Sequence, residues 1–394
     1  MFDADDLPPP PTLSPEVYDR LRQTIADRGP AAAVDRLCAD LRALGDLNAL
    51  FYALLMKKRV ELGVSPFPTG AAADLPKETH AEYEDAIRSA CRFIGTEFLK
   101  RNDLRKAWTY FDMLGEPGPV REYIENLDLT DAEDVQPVVE VALYHGVHPT
   151  RGFDIVVQKY GICNAITTYS GQDFSRTPGA KQHAIKALVR SLYDQLLERL
   201  KTDLEGRGKP VPTDATVGGI VKAHPELFED GAYHIDTSHL SSVAQFALEL
   251  DPGPERLLAR EFCEYGERLG EGLRYGGDAP FEKSYADYKV LLETLDGVNV
   301  EAGLKHFRDK IDREVEVGNT FPAEVYVNLL LKLDRKDEAL AVAKKYLGAE
   351  TRQLSCPSVY DLCQQAGDYE GLAAAAKARN DGVQFLAGLI AGRR

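Results

Sequence analysis

Four of the eight histidines fall in two short segments, Tyr144-His145-Gly146-Val147-His148-Pro149 and Tyr233-His234-Ile235-Asp236-Thr237-Ser238-His239. Imidazoles suit zinc, iron, nickel and copper, and a protein site for such an ion needs three or four ligands. His145, His148, His234 and His239 could supply them, with Asp236 or Asp154 as a carboxylate ligand or as the acceptor behind an imidazole. Zinc or another transition ion is the cofactor such a site would take. No metal motif fixes it: His-x-x-His across a turn can chelate, but the helical His-Glu-x-x-His spacing is missing. Cys163, a histidine and Asn164 or Asp236 have the residue types of a nucleophilic triad, yet no nucleophile motif surrounds Cys163. The same stretches also suit recognition. Arg151 and Asp154 can pair with polar ligand groups, Asn164 can hold backbone amides, and Thr167, Tyr233 and Asp236 add hydroxyls, a ring and a charge. The plain alternative is that these residues cap helices and satisfy buried backbone groups.

The elements around them are helices. Pro149 suits a first helical position, with Phe153, Val156, Val157 and Tyr160 as the expected buried stripe and Gly161 as the left-handed stop. Cys163 and Thr167, and Asn164 and Thr168, then share a polar face one turn apart. Asp236, Thr237 or Ser238 can cap a helix whose apolar side is Leu240, Val243, Ala247 and Leu250. His239 then lies in its first turn, where the positive end of the helix disfavours imidazolium. Each histidine segment therefore brackets a helix start.

Helical spacing recurs along the whole chain. Ser14-Pro15-Glu16 starts one helix, Pro30 a second and Asp46 a third. Cys91, Ile94 and Phe98 lie on one helical face, Asn102-Asp103 breaks it, and Ala107, Phe111 and Leu114 mark the return helix. Tyr326, Leu329, Leu330 and Leu333 form another stripe, followed by a turn at 334–337 and by Ala339, Ala343 and Tyr346. Val359 and Leu362, then Gly367-Asp368-Tyr369, then Leu372, Ala375 and Ala376 repeat the design. The one segment with any strand character, Ile162 to Tyr169, fits a helix better. Tyr275, Phe281, Tyr285 and Tyr288 read as core, with a groove wall as the alternative.

Ala107-x3-Phe111-x2-Leu114 with Pro117, Asp337-Glu338-Ala339-Leu340 and Gly367-Asp368-Tyr369-Glu370-Gly371-Leu372 resemble tetratricopeptide-repeat (TPR) hairpins over about a third of the chain. The resemblance implies an all-α fold, an α-α superhelix (solenoid) of helical hairpins with TPR-like repeats, and with it a peptide-binding scaffold. Five regions follow: a disordered proline-rich tail at 1–13, an N-terminal helical segment at 14–76, hairpins with the first histidine segment at 77–205, central helices with the second at 206–280, and TPR-like hairpins at 281–394.

Bulk composition narrows the partners. A formal net charge of −16 repels phosphate backbones, and Lys57-Lys58-Arg59 is too short a basic run to offset it, so no nucleic acid is expected. The six cysteines are scattered without a Cys-x-x-Cys, against a zinc ribbon or a disulfide framework. The most apolar stretch, Leu50 to Met56, is too short to cross a bilayer, and the acidic start lacks the pattern of a secretory signal. A cytoplasmic protein without membrane insertion is expected. The favoured reading is an interaction scaffold holding a peptide or protein in a polar groove near 144–169 and 233–246. The competing reading is a metal-dependent enzyme built on the four histidines. No motif fixes a reaction, a ligand or an oligomeric state.

Overall fold

The computed structural model describes residues 12–70, 75–175, 177–350 and 352–393. Nearly all of the tail expected at 1–13, and residues 71–74 of the segment expected at 14–76, lie outside the described residues. Every regular element among the described residues is helical, so the chain is all-α. None of these helices is long and apolar enough to cross a membrane.

Local chemistry sets the helix ends. Pro15 occupies the first turn of Pro15–Leu44, which breaks at Gly29 (φ 81°, ψ 174°) and resumes at Pro30. Asp46 Oδ1 accepts the Ala49 N–H at 2.9 Å and so starts Leu47–Glu61. Asp103 caps Leu104–Leu114 and Asp368 caps Tyr369–Ala378, while Ser358 and Asp361 form a reciprocal capping box on Val359–Ala366. Consecutive helices pack in pairs, as the stripes predict: His80–Lys100 on Leu104–Leu114, Phe321–Lys332 on Lys336–Tyr346, and Val359–Ala366 on Tyr369–Ala378.

Two compact units divide the chain, residues 1–159 and 160–394. The first has a core of Leu50, Ala53, Cys91, Ile94, Phe98 and Ala107. The second is organised around the long helix Pro178–Gly206, whose buried face is Ala184, Leu188, Leu192, Leu196 and Leu200. Further along the second unit, Leu304, Phe307, Val327, Leu330, Ala343 and Cys363 form an apolar cluster. Each fully buried Leu or Phe contributes roughly 1.5–3 kcal/mol, enough to outweigh weak local propensities. Five of the six cysteines are buried, and only Cys163 is exposed.

Candidate functional site

In the first unit, the histidine segment sits between two π-helical turns, Glu140–Tyr144 and Val156–Tyr160. The His145 N–H bonds to the Glu140 carbonyl, five residues back, at 3.0 Å. A π turn advances by more residues per turn than an α turn, so it rotates the side chains that follow it. This corrects the expected stripe: Phe153 and Val156 are buried, but Tyr160 is 38% exposed. Gly152 is where the chain folds back on itself, since a Cβ there would lie 2.9 Å from both the Leu143 backbone N and its Cβ. Gly161, at φ 78°, takes the left-handed position expected of it.

His148 is the N-cap of Pro149–Ile155. Its Nδ1 accepts the Arg151 N–H at 3.4 Å and lies 3.2 Å from Thr150 Oγ1. Burial, and then the Arg121 charge, hold its pKa below the usual imidazole range. His145 is exposed beside Trp108, ring centroids 6.0 Å apart. Arg151 is half-buried and donates to the Leu127 carbonyl at 3.4 Å, while its Nε is buried without an acceptor among the described residues. Asp154 is half-buried on the same helix.

In the second unit, Asn164 and Thr167 are exposed and turned back on their own helix: Asn164 Nδ2 donates to the Tyr160 carbonyl at 2.8 Å and Thr167 Oγ1 to the Cys163 carbonyl at 3.1 Å. Asp236 caps Thr237–Phe246, its Oδ1 accepting from Ser238 N at 2.8 Å and His239 N at 3.4 Å. Bonds from the Ser238 side chain and backbone hold its carboxyl below the usual range.

His234 is engaged at both ring nitrogens. Nε2 lies 3.1 Å from Asp203 Oδ2 and Nδ1 lies 3.2 Å from the Tyr265 hydroxyl, which also accepts the His234 backbone N–H at 2.8 Å. Asp203 is gripped in turn by Nε and Nη2 of Arg207, which donate to its two carboxylate oxygens at 2.9 and 3.1 Å. Phe228 packs edge-on against the imidazole. Burial lowers the His234 pKa, and the Asp203 carboxylate opposes it without prevailing. This chain of bonds fastens the 225–236 segment to the long helix and to the buried Tyr265. An imidazole so held has no lone pair to give a metal unless one of these bonds breaks. Among the described residues, no group of three or more His, Cys, Asp or Glu side chains is placed to hold a metal ion. Beside His234 lie two clefts of about 470 and 510 Å³ that share Gln195, Arg199, Tyr233 and His234, and Asp236 and His239 line the second.

A different groove in the same unit has another character. Its volume is about 530 Å³, and three segments wall it: Gln245, Leu248 and Glu249 at the end of Thr237–Phe246 and its following turn, Leu291 and Leu295 of Ser284–Leu295, and one face of Phe321–Lys332. That face presents Phe321, Val325, Asn328, Leu329 and Lys332, at the steps of four and three residues that align on a helix. Phe281 closes one side. It also packs edge-on with Tyr288 and Phe307, so both expectations for the aromatic cluster meet in one ring.

Buried ionic bolts fix the walls. Arg256, 3% exposed, donates to the Leu250 carbonyl at 2.6 and 2.9 Å and to Asp296 Oδ1 at 3.0 Å, tying the ends of two walls together. Glu324, fully buried, accepts Ser355 N at 2.7 Å and Ser355 Oγ at 2.9 Å, and pairs with Arg352. Groups facing the groove are far less engaged. Lys332 Nζ reaches one carbonyl, Leu248 O at 3.3 Å, its sole partner among the described residues. The walls strip water from its ammonium, and with the Arg256 charge this holds its pKa below the usual lysine range, against the pull of Glu249 and Asp251. Asn328 Nδ2 donates to the Ser355 carbonyl at 2.9 Å, which leaves its Oδ1 open, and the Gln245 side chain makes no hydrogen bond among the described residues.

Apart from Gln245, within the 233–246 stretch, none of the groove's polar residues was singled out by type and spacing. The available signal was Phe321–Lys332 itself, apolar on more than the one face that pairing with Lys336–Tyr346 can cover. Comparison with known proteins supplies no parallel: no family model matches the chain, and neither a curated protein nor a solved structure matches it significantly.

Proposed function

We propose that this chain is a helical interaction protein, a superhelical stack of TPR-like hairpins that holds a peptide segment of a partner. The ligand lies in the groove between Thr237–Glu249, Ser284–Leu295 and Phe321–Lys332. One observation carries the reading: a wall with an exposed Phe321 and half-buried Val325, Leu248 and Leu295 stands beside amide and ammonium groups with hydrogen-bonding capacity to spare. Extended peptides need both, because their side chains seek apolar contact and their backbone groups need partners. The histidine segments support the reading less well, since their polar groups already serve helix caps and the Asp203–His234–Tyr265 chain.

The test is a random-peptide display selection on the immobilised full chain, followed by titration of the selected peptide. Phe321 is 39% exposed, so Phe321→Ala should keep the chain folded with a modest drop in melting temperature and weaken that peptide about tenfold, as loss of an aromatic anchor does. Equal affinity for the variant would remove the groove from consideration.

A further inference from the structure

We infer that the bound segment carries a carboxylate set four to five residues from an apolar anchor, with the carboxylate on Lys332 and the anchor on Phe321 and Val325. The inference rests on the groove reading above and names the partner's chemistry.

Charge comes first. An ammonium has three donors, and Lys332 has one acceptor among the described residues, a neutral carbonyl. No carboxylate among the described residues forms an ion pair with it. Glu249, the carboxylate lining the groove, is paired with Lys181, and Asp296 is taken by Arg256 and Arg260. Arg256 adds positive potential at close range although its own donors are engaged. Asp251 also acts on Lys332 through its charge but does not line the groove, so Lys332 is left as a groove-lining charge with no ion pair among the described residues. A partner's carboxylate would complete Lys332 in a partly dehydrated setting, where a charge-assisted bond is stronger than in open water.

Geometry supplies the spacing. Phe321 and Lys332 stand at opposite ends of one helical face, eleven residues apart. At 1.5 Å per residue their backbones are separated by about 16 Å. An extended peptide advances about 3.3 Å per residue, so it spans that distance in roughly five. Gln245 and the open Oδ1 of Asn328 lie between or beside these ends and can take the intervening backbone groups. A ligand with an apolar side chain at one end and Asp or Glu four to five residues away satisfies every open group on this face.

The experiment is the same random-peptide selection run on the full chain and on full-length Lys332→Glu. Wild type should enrich peptides with an apolar residue and an Asp or Glu four to five positions apart. Lys332→Glu should enrich Lys or Arg at that second position, and it should bind the wild-type winner at least about tenfold more weakly, since a like charge replaces an attractive one. Lys332 lies in the last turn of its helix, where a negative charge is unfavourable, so a small drop in melting temperature is expected and a cooperative melt serves as the folding check. If both proteins enrich the same acid-independent peptides, the carboxylate inference fails while the groove stands. If wild type enriches nothing, or Phe321→Ala enriches the same peptides, the groove reading itself fails.

Discussion

The His234 segment and the Lys332 groove belong to the same unit and are both lined with polar groups, yet they differ in what those groups are doing. Around His234, both ring nitrogens, the backbone N–H, the Asp203 carboxylate and the Arg207 guanidinium are all bonded to protein. Around Lys332, the ammonium has one carbonyl, the Gln245 side-chain amide has no hydrogen bond among the described residues, and the apolar wall beside them ends in an exposed ring. The first arrangement holds a fold together. The second can accept something else. Residue type alone does not separate the two, because a histidine pair attracts attention and a lysine at a helix end does not. The decisive quantity is how much of each group's hydrogen-bonding capacity the fold already uses.

The largest effect that could break this contrast is at His234, whose side chain is only 6% exposed. His234→Ala should remove two ring hydrogen bonds and the Phe228 contact, leaving the buried Tyr265 hydroxyl short of a partner. Removing one partner from a buried polar pair, together with the packing of a ring, costs about 2–4 kcal/mol. Urea unfolding should show that loss, and titration of a groove-selected peptide should show no change. A variant as stable as wild type would mean that the imidazole is free for another task, and the metal reading would regain its footing.

How much of this was legible beforehand depends on sequence distance. Caps and stops act within a turn, so Asp236, Pro149 and Gly161 could be read from their neighbours alone, and the apolar stripe Leu240, Val243, Ala247 and Leu250 is fully buried or nearly so. The Asp203–His234 bond joins residues thirty-one positions apart, and Tyr265 lies thirty-one further on. Nothing in the spacing around His234 announces them. Tyr160 leaves the expected stripe because a π turn rotates it, whereas hydrophobic periodicity assumes one constant pitch. The groove is illegible in the sequence for a third reason. Its polar residues are of common types, and only the three walls together make them a site.

A smaller effect sharpens the capping half of the contrast. Asp236 accepts two backbone N–H groups at the start of Thr237–Phe246, the work of a helix cap. Asp236→Ala should cost about 1 kcal/mol, and Asp236→Asn should recover most of it, because an amide oxygen can accept the same bonds. Thermal melts of the two variants separate the possibilities. If Asn is as harmful as Ala, the carboxylate charge matters in its own right, and the adjacent cleft with Arg199 and His239 becomes a candidate ligand site.

The smallest effect concerns protons. His234 and His148 both have folded-state pKa values below their ordinary 6.5, each mainly because burial disfavours the charged ring. The unfolded chain therefore binds more protons than the folded one once the pH drops beneath about 6.5. The stabilisation from these neutral rings is fully present above that pH, declines as the pH falls towards the folded values, and declines no further below them. One proton limits the slope to about 1.4 kcal/mol per pH unit for each ring. Asp203 does not confuse the window, because Arg207 first, and then the His234 bond, hold its carboxyl below the usual range, where it stays charged. The urea midpoint should thus be lower at pH 5.5 than at pH 7.5, and His234→Gln should flatten part of that difference. A midpoint that rises on acidification and loses the rise in His234→Gln would show that Asp203 outweighs burial. The ring would then be a cation in the folded state, and the segment would act as an ion pair and not as a neutral bolt.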